Sequence, residues 1–172
     1  MGNKKGRKSV LIVTIGAPGS GKSYFAERIC RDYRLIHLRS DRIRDHVFIR
    51  PTYSKAENNR LFGLMDFLTD ELLSRGVGVV YDANATKRDF RKRLRGIARK
   101  HKATYVILWV HTPLKTALKR AQSRSYHPVG IPVVLGIHRE TEKPKSEPFI
   151  IFDGTKSYKT QKKLLSKYFI SN

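Results

Sequence analysis

The chain has 172 residues, enough for one domain, or a domain with a lid, that hides about 70% of the surface its unfolded form exposes. Apolar residues make up 40% of it, which excludes disorder by composition. Lys and Arg number 36 against 14 Asp and Glu, a net charge of +22, which excludes a cationic partner and predicts attraction to polyanions.

Residues 1–9 read as a basic, flexible arm in which Lys4, Lys5, Arg7 and Lys8 add to polyanion binding. The apolar run that follows is shorter than a secretory signal requires, and glycines come at once after it. Gly2 suggests myristoylation, but Gly6 stands where that motif places Ser or Thr. No run approaches the roughly 20 apolar residues of a membrane helix. Cys30 is the sole cysteine, so no internal disulfide forms and a reducing compartment is the simpler reading. The expected location is the cytosol.

Val10–Ile15 is a continuous β-branched run, the pattern of a strand buried on both faces. A Gly-rich turn leads into a helix over 22–31 with Phe25, Ile29 and Cys30 on one face. A second strand covers 35–38 and a short helix 41–48. The segment 54–75 has capping-box spacing at Ser54 and Glu57 and apolar residues at helical intervals, and Gly76 stops it. A third strand covers 77–81, and a helix covers 87–101 with Phe90, Leu94, Ile97 and Ala98 inward. A fourth strand spans 105–110. Thr112 and Pro113 read as N-cap and first residue of the next helix. A small lid helix is expected over 133–138, a fifth strand over 149–152 and a closing helix over 160–169. Strands alternating with helices predict an α/β fold: a mostly parallel sheet of about five strands with helices on both faces. The expectation is one domain over 10–172 with a small lid near 124–140.

Gly16-Ala17-Pro18-Gly19-Ser20-Gly21-Lys22-Ser23 matches the phosphate-loop pattern G-x-x-x-x-G-K-[ST]. Glycines let successive N–H groups point at one phosphate, and the helix N-terminus adds positive potential. Lys22 reaches the outer phosphates and the Ser23 hydroxyl can ligate Mg²⁺. The loop specifies a nucleoside triphosphate, by default ATP, without specifying the reaction. Gly16, Pro18, Gly19, Ser20, Gly21, Lys22, Ser23 and Tyr24 are the candidate nucleotide residues, with Arg120 from the later helix.

Two carboxylates follow strand ends, where ligands collect in such sheets. Asp41 can orient an acceptor hydroxyl and take its proton; the alternative is a helix N-cap. Asp82 can help hold Mg²⁺ or contact the acceptor; the alternative is a turn residue. Asn84 reads mainly as a turn or cap residue. Arg120 and Arg124 are four apart and share a helix face that can close over the triphosphate. Helix C-terminal cations favoured by the macrodipole are the plain alternative.

These residues carry a resemblance. Gly16 to Ser23, then Ser40-Asp41-x-x-Arg44, then Val80-Tyr81-Asp82-Ala83-Asn84-Ala85-Thr86, then Leu118 to Arg124 resembles, in order, the kinase domain of the polynucleotide 5′-hydroxyl kinase family. The resemblance implies that Lys22 and Ser23 serve ATP and Mg²⁺, and that Asp41 is the general base on the 5′-hydroxyl. It further implies that Arg44 binds the acceptor's phosphate, that Asp82 is an acceptor-side carboxylate, and that Arg124 is a lid arginine on the transferring group. Tyr24 departs from the Thr common after the loop Ser. Ile151-Phe152-Asp153-Gly154-Thr155 has only the tail of a phosphatase motif, with Ile151 at the nucleophile position, so phosphatase activity is not expected.

Residues 87–102 hold nine cations against Asp89. Arg88, Lys92, Arg95, Arg99 and Lys102 follow a 3–4 spacing and form a stripe opposite Phe90, Leu94 and Ile97. With the net charge, the stripe points to a nucleic-acid partner; a solvated helix face is the plain alternative. Arg88, Arg95 and Arg99 are the candidate strand-binding residues. The histidines show no transition-metal spacing with Cys30. Three readings stand: a kinase for polynucleotide 5′-hydroxyls, a small-molecule kinase, and a nucleic-acid-binding module whose nucleotide site is a switch.

Overall fold

Strand β1, Val10–Ile15, is buried at every position, so it needs strands on both edges and helices on both faces. The computed structural model, which describes residues 8–125 and 128–169, supplies both. The remaining elements are α1 (Lys22–Tyr33), β2 (Ile36–Arg39), α2 (Ser40–Val47), α3 (Lys55–Ser74), β3 (Val79–Asp82), α4 (Arg88–Lys100), β4 (Thr104–His111), α5 (Leu114–Gln122), α6 (Ile131–Glu140), β5 (Phe149–Asp153), α7 (Tyr158–Gln161) and α8 (Ser166–Phe169). The five strands run parallel in the order β2-β3-β1-β4-β5. This is the expected parallel α/β sheet, and its topology brings the ends of β1, β3 and β4 together at one edge.

Leu11, Val13 and Ile15 pack with Leu61 and Met65 of α3 and Leu94 and Ala98 of α4. Val10 and Ile12 face the other way, onto Phe25, Ala26 and Ile29 of α1 and onto Tyr158 and Leu165. The period-2 alternation of β1 thus serves two cores at once.

Several local outcomes differ from the sequence pattern. β3 begins at Val79 because residues 76–77 close α3: Gly76 has φ +73°, its N–H bonds Leu73 O at 3.0 Å, and Val77 N–H bonds Leu72 O at 2.9 Å. That is a Schellman motif. At the start of α3, Ser54 Oγ accepts from Glu57 N–H at 3.3 Å. The Glu57 carboxylate does not complete the capping box; it accepts from Thr52 N–H and Thr52 Oγ1 and pairs with Arg44. Thr112 is not the cap of α5. Pro113 holds that position, and the buried Thr112 hydroxyl donates to Ser20 O at 2.9 Å instead. The closing helix is broken into α7, a 3-10 turn over Lys162–Leu165 and α8. Gln161 is buried there, and its amide is fixed to both backbone groups of Asp153. The lid helix α6 runs longer than expected, over ten residues. Lys4, Lys5 and Arg7 of the basic arm lie outside the described residues. No helix among the described residues is long and apolar enough to cross a membrane.

Candidate active site

The β1–α1 loop curls because glycine permits it. Gly19 has φ +81°, and a Cβ there would lie 2.1 Å from Ala117 O and 2.9 Å from Ala121 N. Helix α5 therefore rests directly on the loop, which requires the small, fully buried Ala117 and Ala121 at the contact. Lys22 Nζ donates to Gly16 O at 2.7 Å and to Ala17 O at 3.1 Å. Burial lowers its pKa to about 8; the negative charges of Asp82 and Asp41 act against that and Arg124 adds to it. Asp82 at the end of β3, Asp41 in α2 and Arg124 just past α5 thus all lie near enough for their charges to act on one ammonium.

Asp82 ends β3, is buried, and is held from several sides. Thr14 Oγ1 donates to its Oδ1 at 3.1 Å, His37 Nε2 lies 3.0 Å from its Oδ2, and the Ser23 hydroxyl is close enough to favour its charged form. Burial alone would raise this carboxyl. The hydrogen bond and charge of His37, the nearby Ser23 hydroxyl and the charge of Lys22 outweigh it and hold the group below the usual carboxylate range. His37 is a site residue that the motifs do not reveal. Its sole sequence signal is a polar residue near the end of a strand, and only the pairing of β2 with β3 brings it to Asp82.

Asp41 lies in the first turn of α2, whose N-cap position is Arg39, so the cap alternative does not hold. It is half-buried and makes no ion pair or hydrogen bond among the described residues. Arg44, one turn on, is buried, and its guanidinium is taken up by Glu57 and by Asn58 Oδ1 at 2.6 Å, with the Tyr53 ring 4.5 Å away. It fastens α2 to α3 rather than standing free to meet an acceptor's phosphate.

Arg120 donates to Gly154 O at 2.7 Å, tying α5 to the turn after β5. A Cβ on Gly154 would lie 1.9 Å from Thr112 Oγ1 and 2.2 Å from Ser20 O, so this turn presses on the phosphate loop. Asp153 accepts from Thr155 N–H and its hydroxyl, a local turn. Arg124 is half-buried just beyond α5. Tyr24 is exposed, with the Arg28 guanidinium 3.6 Å above its ring. Pro18 is half-buried in the loop. Arg88, Arg95 and Arg99 are exposed along α4, away from Lys22's immediate surroundings.

The loop after Asp82 is strapped down. Arg91 of α4 is 0% exposed, donates to both Glu147 oxygens and gives a further nitrogen to Ala85 O and Thr86 O at 3.1 and 2.8 Å. Glu142 N–H bonds Thr86 O at 3.0 Å, and its carboxylate accepts from Arg88 N–H at 2.9 Å. The segment following α6 is thereby fixed to the loop that carries Asp82 and Asn84. A cavity of about 210 Å³ opens on the other side of the phosphate loop, between Gly16, Ala17, Ser20 and the residues His111, His138 and Lys143.

The residues present fit a magnesium nucleotide. Ser20 Oγ and Asn84 Oδ1 are buried without a partner among the described residues, and the loop forms a cradle closed by α5. No cluster of three His, Cys, Asp or Glu among the described residues could hold a metal alone. Magnesium sites are commonly made by one or two side chains together with phosphates, and Ser23 with Asp82 is such a pair.

A family model described as an AAA domain matches residues 11–139. No curated protein matches the chain in sequence. Among solved structures, a sugar kinase from Janibacter sp. HTCC2649 superposes with a TM-score of 0.71 at 17% identity, covering 92% of this chain and 93% of its own. The APS kinase of Mycobacterium tuberculosis, in complex with AMPPNP and APS, gives 0.72 at 18% identity over 94% and 98%. A gluconokinase from Sinorhizobium meliloti 1021 gives 0.67 at 21% identity over 90% and 88%. These likenesses establish the phosphate-loop kinase fold; they are to kinases of small molecules rather than to a polynucleotide kinase in particular.

Proposed function

This chain belongs to the AAA domain family AAA_33, and from that premise we propose that it is an ATP-dependent phosphotransferase acting on a hydroxyl group. The observation that carries the reading is the glycine-built phosphate loop with Lys22 bonded across it, within reach of the charges of Asp82, Asp41 and Arg124. The loop N–H groups and the start of α1 receive the phosphates. Lys22 remains mostly charged at neutral pH and meets the outer phosphates. The Ser23 hydroxyl lies beside the ionised Asp82, and these two residues would hold Mg²⁺. A bound magnesium ion supplies neutralisation of the charge developing on the phosphate oxygens. Asp41 is the uncommitted carboxylate: it takes the acceptor's proton as the new O–P bond forms and the bond to the β-phosphate oxygen breaks, leaving ADP. Arg124 stabilises the migrating group.

The sugar, APS and gluconate kinases that share the fold favour a small hydroxyl compound as acceptor. A 5′-hydroxyl of RNA or DNA is the second reading, favoured by the ordered set of four motifs and by the exposed cations of α4. The test is γ-labelled ATP with a panel of sugars, sugar acids, nucleosides and 5′-hydroxyl oligonucleotides. Label on one class of acceptor, lost in Asp41→Asn while ATP still binds, supports the reading. Nucleotide binding with no labelled product from any acceptor overturns it in favour of a switch.

A further inference from the structure

The charges of α4 and its flanks divide cleanly. Lys87 pairs with Glu140, Arg91 with Glu147, Arg93 with Asp66 and Lys100 with Asp70. The other five cations, Arg88, Lys92, Arg95, Arg99 and Lys102, form no ion pair among the described residues, and all are exposed. Arg88, Lys92, Arg95 and Arg99 lie at the 3–4 spacing of one stripe on α4, whereas Lys102 falls just past the helix end, at φ +53°. Asp66, Asp70, Glu140 and Glu147 thus pair with the cations off this line, while Glu142 meets only the backbone N–H of Arg88 and Asp89 pairs with none of the five, so like charges repel along the line. Within the helix, from Arg88 to Arg99, the line spans about 16 Å at ~1.5 Å per residue, with neighbours roughly 5–6 Å apart, and Lys102 follows it.

We infer that this stripe is a docking surface for the phosphodiester backbone of a nucleic acid. A row of evenly spaced, unpaired cations matches a row of phosphates, and at about 3.4 Å per nucleotide its helical part covers roughly five nucleotides of one strand. A lipid surface fits less well. A membrane-surface helix sets its cations beside an exposed apolar face, whereas α4 has no exposed large apolar residue and turns Leu94 inward. The stripe starts at Arg88, directly after the strapped loop that follows Asp82, so a bound strand runs from the rim of the site along the outside of the domain. The surface holds a backbone whichever hydroxyl the site phosphorylates, so the inference goes beyond the proposed activity.

The test is binding without ATP, read as fluorescence anisotropy of a labelled 12-nucleotide RNA and its DNA equivalent across a KCl series. Five phosphate contacts on a single strand predict a log–log slope of about −3.5. The triple variant Arg95→Gln, Arg99→Gln, Lys102→Gln should flatten that slope by about 2 and weaken binding by roughly 100-fold at low salt. The pair Arg93→Gln, Lys100→Gln, which removes cations already matched by Asp66 and Asp70, should leave the slope unchanged. Thermal melts of both variants check folding. Equal losses in the two variants would mean that only net charge matters and would overturn the inference. So would an unaltered slope in the triple variant, or binding to phosphatidylserine vesicles without binding to either oligonucleotide. Because no phosphate transfer is read, these outcomes are separate from the fate of the kinase reading.

Discussion

The β3–α4 junction and the β2–α2 junction follow neighbouring strands, and each supplies one carboxylate to Lys22, yet they are built in opposite ways. Asp82 is bonded by Thr14 and His37, with the Ser23 hydroxyl close by, and the loop behind it is held by Arg91, Glu142 and Glu147. Asp41 sits in a helical first turn with no bond to its carboxylate among the described residues, while its neighbour Arg44 is the group that is tied down. A carboxylate bonded at both oxygens is suited to holding a hydroxyl and an ion in place. A carboxylate left open is suited to taking up a proton. The contrast separates, by their surroundings, two acids that both follow strand ends in the sequence.

The sharpest way to break this contrast is to neutralise each acid separately. Asp41→Asn should lower phosphate transfer by about 10²–10⁴-fold, the range for a lost general base, with no change in melting temperature. Asp82→Ala should abolish transfer and also deprive half-buried His37 of its carboxylate partner and leave Thr14 only its bond to Ala83 O, at about 1–3 kcal/mol. That corresponds to a fall in Tm of roughly 2–12 °C for a domain of this size. Equal thermal penalties in the two variants would erase the distinction.

A smaller effect is expected from the strap. Arg91→Met should lower kcat about 10-fold by loosening the Asp82 loop, while the Kd for ATP stays constant, since the phosphate loop is untouched. Arg91→Lys should restore little, because one ammonium cannot serve Glu147 and two carbonyls with the geometry of a guanidinium. An unchanged kcat would show that the loop holds its shape without Arg91.

The smallest expected effect is on pH. Burial disfavours the charged Lys22, so the unfolded chain binds that proton more tightly. For this group, stability therefore rises as pH climbs from about 8 towards its ordinary value of 10.5, while the affinity for the triphosphate falls over the same interval. In ATP-binding titrations, Asp82→Asn and Asp41→Asn should move the midpoint of that loss below its wild-type value, Asp82→Asn further, and Arg124→Ala should move it upward. Identical midpoints in all three variants would remove the electrostatic basis of the site.

What could be read in advance followed chain locality. β1 and the phosphate loop are continuous signals within a few residues, and the α4 stripe is a period within one helix. The features that escaped notice pair residues far apart in sequence. His37 meets Asp82 only because β2 lies beside β3. Arg91 reads as one more surface cation until Glu147, 56 residues on, returns to cover it. Thr112 has the pattern of a cap, but its hydroxyl is claimed by Ser20 across 92 residues. Arg44 fits a substrate arginine in the motif, and only the approach of Glu57 shows its other role.

The missing side chain at Gly19 has a mechanical result. With Ala117 O where a Cβ would be, loop and helix have no play between them. A side chain at position 19 would have to push α5 off the loop, and with it Arg124, which lies two residues past the end of that helix. The absent Cβ thus sets the spacing between the phosphate loop and the stretch of chain that leads to Arg124.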